Sequence, residues 1–240
     1  MGSTGTVPSE HGLADRLAAV SASVAEAAAS AGRDASEITT IVVTKFHPAS
    51  LVRELYALGV RDMGENRHQE ARAKAAELDD LPDLRWHFVG QLQSNKARQA
   101  RRYAHAIHSL DRLSLVDALA AAPGDDDVQA SIVDGFVQVA LSESDTRGGV
   151  QPDAVEALVE RVLAGDGIRL RGVMAVAPLG EEPRAAFARL RAISERVRAI
   201  DPGADRISAG MSGDFTAALK EGATHLRIGT AITGNRPATG

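Results

Sequence analysis

The feature that most constrains this chain is a rhythm. Short apolar, β-branched runs alternate with polar turns and with longer segments of helical period, and the alternation continues through nearly the whole chain. Runs of this length read as strands buried on both faces, as in parallel sheets. They fall at 38–45, 60–64, 84–89, 105–109, 132–141, 168–175, 206–208 and 225–228. Helical segments separate them. Leu51, Val52, Leu55 and Leu58 share one helix face, and a charged helix spans 67–78. Ser94 caps a helix reaching about 102, and Asp111 caps one ending near 122. Pro152 opens a helix with Val155, Leu158, Val159, Val162 and Leu163. Phe187, Leu190, Ile193, Val197 and Ile200 line a long helix, and a shorter one covers 212–221. An extra N-terminal helix carries Leu13, Leu17, Val20, Val24, Ala27 and Ala31, with Gly32 as its stop. Eight strands alternating with helices predict an α/β fold with a parallel sheet. Units of about 25–30 residues with no low-complexity linker suit a single closed (β/α)8 TIM barrel of ~250 residues. A doubly wound open sheet is the alternative, but no GxGxxG follows the first strand. The predicted barrel covers 11–236, with polar, disordered tails at 1–10 and 237–240.

Composition removes several function classes. Charges are interspersed and the net charge is −5, which argues against a nucleic-acid protein working through a basic surface. No cysteine is present, so disulfides, thiolate metal sites and cysteine nucleophiles are excluded. This is compatible with a cytoplasmic protein, the expected location. No apolar run is long enough to span a membrane, and 1–10 lacks the apolar segment of a signal peptide.

In a barrel of this kind the active groups sit at the C-terminal ends of the strands. The first predicted strand ends on Lys45, where an ammonium is costly to bury. A salt bridge or a snorkelling side chain is one explanation. A lysine that forms Schiff bases with carbonyl compounds is the other. Glu65, Asn66, Gln91, Ser109, Ser142 and Met174 end later strands. After the seventh strand comes Ser208-Ala209-Gly210-Met211-Ser212-Gly213; at the eighth, Arg227-Ile228-Gly229-Thr230. Both turns offer glycine amides and hydroxyls, and turns at these two positions frequently bind phosphate. Ordinary turn and cap chemistry is the competing explanation for either one alone. A phosphate site opposite a Schiff-base lysine suggests pyridoxal 5′-phosphate (PLP). Arg227, always a donor, would then face the pyridine nitrogen and keep it unprotonated, damping the electron sink that carbanion chemistry needs; a salt bridge at the barrel mouth is the alternative for this residue.

Six runs carry a resemblance: Val43-Thr44-Lys45; Gly64-Glu65-Asn66 with Gln69-Glu70; Trp86-His87-Phe88-Val89-Gly90 with Leu92-Gln93-Ser94-Asn95-Lys96; Gly172-Val173-Met174-Ala175; Ser208-Ala209-Gly210-Met211-Ser212; and Arg227-Ile228-Gly229-Thr230-Ala231-Ile232. Together they resemble the pyridoxal phosphate homeostasis proteins, the YggS/PROSC family, from about residue 13 to Arg236. The resemblance implies a barrel like the N-terminal domain of alanine racemase, with PLP as a Schiff base on Lys45. It further implies phosphate contacts from Ser208, Ser212, Gly229 and Thr230 beside Gly210, Arg227 at the ring nitrogen, and Asn66 and Met174 lining the ring pocket. It implies a carrier or regulator in vitamin B6 and amino-acid balance, with apo PLP-dependent enzymes as recipients and a monomer or weak dimer as the assembly. Three positions depart from the family pattern: Phe46-His47 where a second lysine is frequent, Arg147 where a lysine usually precedes the glycine, and Arg67 where an aromatic residue is common.

A low-activity PLP-dependent racemase is the alternative. Racemisation needs a base on each side of the α-carbon. The chain ends soon after the eighth strand, and its tyrosines, Tyr56 and Tyr103, fall on helical segments. Turnover is therefore not expected, and no residue is assigned as catalytic or metal-binding. His105 and His108 lie on opposite faces of a strand and read as structural; His87 reads as a core residue. Glu65 and Glu143 read as isolated, Asp125-Asp126-Asp127 as a solvated loop, and Lys96, Arg98, Arg101 and Arg102 as an exposed helix face.

Overall fold

The computed structural model describes residues 12–120, 132–142 and 147–236. The expected tails, the Asp125–Asp127 run and Glu143 lie outside the described residues. The described elements are α1 (Leu13–Ser30), β1 (Thr39–Val43), α2 (Ala49–Ala57), β2 (Asp62–Glu65), α3 (His68–Glu77), β3 (Arg85–Phe88), α4 (Ala97–Ala100), β4 (Ala104–Leu110) and α5 (Leu113–Ala120), then β5 (Val133–Gln138), α6 (Val155–Leu163), β6 (Ile168–Met174), α7 (Pro183–Ile200), β7 (Arg206–Ser208), α8 (Phe215–Lys220), β8 (His225–Ile228) and α9 (Thr230–Thr233). All eight strands pair in parallel and in chain order, and β1 closes the barrel on β8 with Ile41 opposite Arg227.

The strands are mostly shorter than their apolar runs. β1 stops at Val43, so Lys45 sits two residues beyond it in a turn. β5 ends at Gln138 although Val139, Ala140 and Leu141 are also buried, because the rim loop packs down onto the barrel. The predicted helix at 94–102 is a 3-10 turn, Ser94–Lys96, followed by the single turn of α4. The predicted 212–221 helix shrinks to α8, since Ser212 and Gly213 belong to the preceding turn.

Two different interiors result. Between strands and helices, Val42, Met63, Phe88, Ile107, Val137 and Leu226 meet Leu55, Leu115, Val159, Phe187 and Leu190, all almost fully buried. Each such side chain stabilises the fold by roughly 1.5–3 kcal/mol. Inside the barrel, branched aliphatics would be usual. Here the apolar part is small (Ile41, Ala106, Phe136 and Met174), and His87, His108, Ser208 and Arg227 are buried among the remainder. The extra helix α1 lies over α8 and α9, and Arg16 Nε donates to the Ile232 carbonyl at 2.8 Å, tying it to the rim that follows β8.

Candidate cofactor site

The turn carrying Lys45 is held from behind. Lys74, on α3, is buried and its ammonium donates three hydrogen bonds: to the Thr44 carbonyl (2.9 Å), Glu65 Oε1 (2.7 Å) and Glu70 Oε1 (2.8 Å). Thr44 Oγ1 donates to the same Glu65 oxygen at 2.7 Å. The Phe46 N–H donates to Glu70 Oε1 at 2.6 Å. These bonds fix Phe46 in the left-handed region at φ 69°, which a bulky residue rarely adopts. Burial pushes the Glu65 carboxyl up from its ordinary value, against the pull of Lys74 and Thr44. Glu65 is therefore not isolated, as its sequence context suggests, but is the centre of the brace. Lys45 is only partly buried and has no ion pair among the described residues; its Nζ lies 5.9 Å from the Phe46 ring centroid. Arg236 and Arg67 cover that ring as well, at 4.1 and 5.2 Å.

Barrel closure brings the last two turns to Lys45. A Cβ on Gly229 would lie 3.6 Å from the Val43 carbonyl, so the turn after β8 runs beside the strand that leads to Lys45. The turn after β7 is adjacent, since the Arg227 N–H donates to the Gly210 carbonyl at 2.9 Å. Gly210 has φ +96°, and a Cβ there would come within 2.9–3.0 Å of Ala218 and Leu226. Its glycine is thus required by the turn itself. Among the described residues the backbone N–H groups of Ser212, Gly213, Thr230 and Ala231 have no acceptor, and Ser212 and Thr230 are exposed on the rim.

Arg227 points inward, as strand alternation predicts, and is buried. Nη1 donates to the Ser208 carbonyl (2.7 Å) and to Ser208 Oγ (2.8 Å), while Nη2 donates to the Ala175 carbonyl (2.9 Å). Burial lowers its pKa to about 10, which still leaves the guanidinium charged at neutral pH. A salt bridge is not its role, for all three acceptors are neutral. Ser208 departs from the expected phosphate contact. It is fully buried, and its hydroxyl is already engaged by Arg227 and by His108 Nδ1 at 2.8 Å. Its side chain shares the inward parity of Arg227 and so faces the barrel interior rather than the turn.

Asn66 and Met174 are less close partners than the sequence runs suggest. Met174 lies inside the barrel against Ala106 and Phe136. Asn66 opens a cleft of ≈730 Å³ that it shares with Arg67, Gln91, Lys96 and Arg112. Gly90 makes that position possible, because a Cβ there would sit 2.1 Å from the Asn66 carbonyl oxygen. Arg147 Nη2 donates to the Ala177 carbonyl at 3.1 Å, and its own carbonyl accepts from Gln138. The basic group at 96–102 divides: Arg98 and Arg102 are exposed, whereas Arg101 is buried and donates to the Leu119 carbonyl at 2.8 Å.

Comparison with known proteins fits this geometry. The alanine racemase N-terminal domain family matches residues 16–237. The pyridoxal phosphate homeostasis protein of Mycobacterium tuberculosis is 41% identical over 247 residues, 95% of this chain and 94% of its own. This chain belongs to the pyridoxal phosphate homeostasis protein family. The relative from Pseudomonas aeruginosa is 42% identical over 229 residues, covering 93% of this chain and 96% of its own length. Among solved structures, PipY of Synechococcus elongatus PCC7942 with PLP bound superposes with a TM-score of 0.79 at 36% identity, over 93% of this chain and 100% of that one.

One further side chain of the site, Lys74, had no sequence signal. Lys74 reads as one more charge on the charged helix at 67–78, while Glu70 belongs to one of the runs that carry the resemblance but without a role assigned to it. A Glu70–Lys74 pair at i,i+4 is common on exposed helices; only the packing of α3 against β2 takes it out of solvent.

Proposed function

We propose that this protein holds PLP at the C-terminal mouth of the barrel through Lys45 and serves PLP homeostasis as a carrier or regulator, without catalytic turnover. The observation that carries this reading is Lys45: it has no ion pair among the described residues, and it follows the strand that runs beside the turn after β8 and pairs with the buried Arg227, while the turns after β7 and β8 hold unused N–H donors. The donor set suits the cofactor. When bound, PLP supplies an aldehyde that a primary amine attacks, and Lys45 is held by the Lys74–Glu65–Glu70 brace to offer one. Three of the five N–H groups of Arg227 are committed to the protein, so two remain for an acceptor such as a ring nitrogen. Ser212, Gly229 and Thr230 would receive the phosphate, with Gly210 shaping the turn, and Asn66 and Met174 would flank the ring.

Carriage is favoured over turnover by where the candidate second bases lie. Tyr56 donates to the Pro82 carbonyl, and Tyr103 meets His68 Nδ1 at 3.2 Å beside a groove lined by Arg72 and Gln99, on the outer side of the barrel. We place the protein in the cytoplasm as a monomer, passing its cofactor to apo PLP-dependent enzymes. No described helix is long and apolar enough to cross a membrane.

The test is chemical. Borohydride reduction of the PLP-loaded protein followed by peptide mass mapping should place the cofactor's mass on Lys45. Lys45→Ala should take up none while keeping the wild-type unfolding midpoint. Label found on another lysine, or none at all, refutes the reading.

A further inference from the structure

One file of hydrogen bonds runs through the barrel and is not used by the site as described so far. Asp62, at the start of β2, accepts from His87 Nε2 at 2.8 Å. His87 Nδ1 lies 3.0 Å from His108 Nε2, and His108 Nδ1 lies 2.8 Å from Ser208 Oγ. Ser208 Oγ accepts from Arg227 Nη1 at 2.8 Å. The file therefore joins the N-terminal mouth, where Asp62 shares a cavity of ≈220 Å³ with His105, Asp134 and His225, to the Arg227 guanidinium. His108 is also clamped in plane: its ring stacks on Phe136 with centroids 4.3 Å apart and an angle of 12°.

With His87 as a neutral imidazole, the chemistry at the two ends permits only one direction. Arg227 can only donate, and an ionised carboxylate can only accept. Burial pushes the Asp62 carboxyl up, but hydrogen bonds from His87 and Arg85 outweigh it and hold the group below the usual carboxylate range. His87 must then carry its hydrogen on Nε2. If neutral, its Nδ1 accepts, so His108 must donate from Nε2. His108, kept neutral by complete burial, accepts at Nδ1 from the Ser208 hydroxyl, which in turn accepts from Arg227. Every hydrogen points from the arginine toward the aspartate, and each imidazole has one allowed tautomer.

We infer that Asp62, His87, His108 and Ser208 are positioning residues for Arg227, forming one directed chain whose polarity is set by Asp62 at the opposite end of the barrel. The chain takes one Nη1 hydrogen on Ser208 Oγ and, with the bonds to the Ser208 and Ala175 carbonyls, fixes the guanidinium plane and so the direction of its two uncommitted donors. Only the last consequence, an effect on cofactor retention, rests on the PLP reading.

The experiment has two arms on the full chain. In the first, long-range 1H–15N spectra of cofactor-free, 15N-histidine-labelled protein are recorded, with assignments from single His→Gln variants. His87 and His108 should both be Nε2–H tautomers; an Nδ1–H form at either overturns the direction. In the second, Asp62→Asn is compared with Asp134→Asn, which alters the same mouth but lies outside the chain. Asp62→Asn should give His108 mixed tautomers and release PLP about five- to tenfold faster, the range expected for a weakened charged hydrogen bond. Asp134→Asn should change neither. An unchanged His108 tautomer and release rate in Asp62→Asn overturn the coupling. If Asp62→Asn does not fold, Ser208→Ala cuts the same chain next to Arg227 and should show the same faster release; unchanged release there overturns it as well. If the wild type takes up no PLP, the cofactor reading fails and the tautomers alone decide the chain.

Discussion

The polar barrel interior predicts a loss of stability in mild acid. The perturbation is a drop from about pH 7.5 to about pH 5. Burial holds His225 neutral, lowering its pKa from 6.5 to about 3, and holds His108 well below 6.5. The folded pKa values are depressed, so below 6.5 the unfolded chain binds protons that the folded chain refuses. Stability from keeping these rings neutral is thus complete above about 6.5 and is lost as pH falls toward the folded values. For His225 the deficit at pH 5 is about 1.5 pH units, or about 2 kcal/mol at 1.36 kcal/mol per unit. His108 adds to this loss in the same direction, so the two rings together weigh on a typical domain's stability. Glu65 acts with the opposite sign: its pKa is raised, so a falling pH relieves its burial and offsets part of the loss. The assay therefore takes a difference of differences. Urea unfolding free energies are measured at both pH values for wild type and for His225→Gln, which keeps a hydrogen-bonding partner for Thr224 Oγ1, 2.8 Å from the ring, but cannot titrate. The variant should lose about 2 kcal/mol less than wild type between the two conditions. Equal losses would refute the claim that His225 is held neutral in the barrel.

Two further substitutions probe the support of the site. Lys74→Met leaves Glu65 buried without its cation, at side-chain exposures of 7% and 1% for the pair, and should cost about 3–5 kcal/mol; adding Glu65→Gln should restore most of it, as read by thermal unfolding. Gly90→Ala places a methyl 2.1 Å from the Asn66 oxygen, so the backbone must move; a loss of about 1–3 kcal/mol and weaker PLP retention are expected, whereas wild-type values for both would show that Asn66 is not held by this contact. Incubation of the loaded protein with alanine or serine enantiomers should give no inversion above background; inversion that disappears in Lys45→Ala would instead establish a racemase.

The parts of this molecule visible in its sequence are those governed by local period. Strands buried on both faces and helices with one apolar stripe announce themselves within a few residues, and their number and spacing specify closure. Closure then explains why Lys45, Gly210 and Gly229, far apart in the chain, meet at one rim. The misreadings arise where the third dimension supplies the sign. Ser208 sits on a strand of three residues, too short for alternation to be read, so its inward parity appears only when β7 pairs with β6 and β8. His87 and His108 face each other because the ladder between β3 and β4 slips by one residue after Trp86, setting His87 opposite Ala106. No sequence pattern encodes that slip. Nor does composition reveal that Lys74 is buried, since the only apolar residues of its helix are alanines, which mark no strong apolar stripe.

The same contrast explains how a site of this kind is kept in register. The rim residues are set by turns and glycines, which specify backbone but hold no charge in place. The charges are held from the interior: Lys74 braces the carbonyl just before Lys45, and Ser208, backed by His108 and His87, holds Arg227. Both supports consist of polar groups that the barrel has desolvated, and both leave the anchoring group itself unpaired or with donors to spare. An apolar barrel interior would have been more stable in acid, but it would have left the Arg227 guanidinium without the acceptors that orient it, and an unoriented buried cation is far more costly than the neutral histidines that replace those aliphatics.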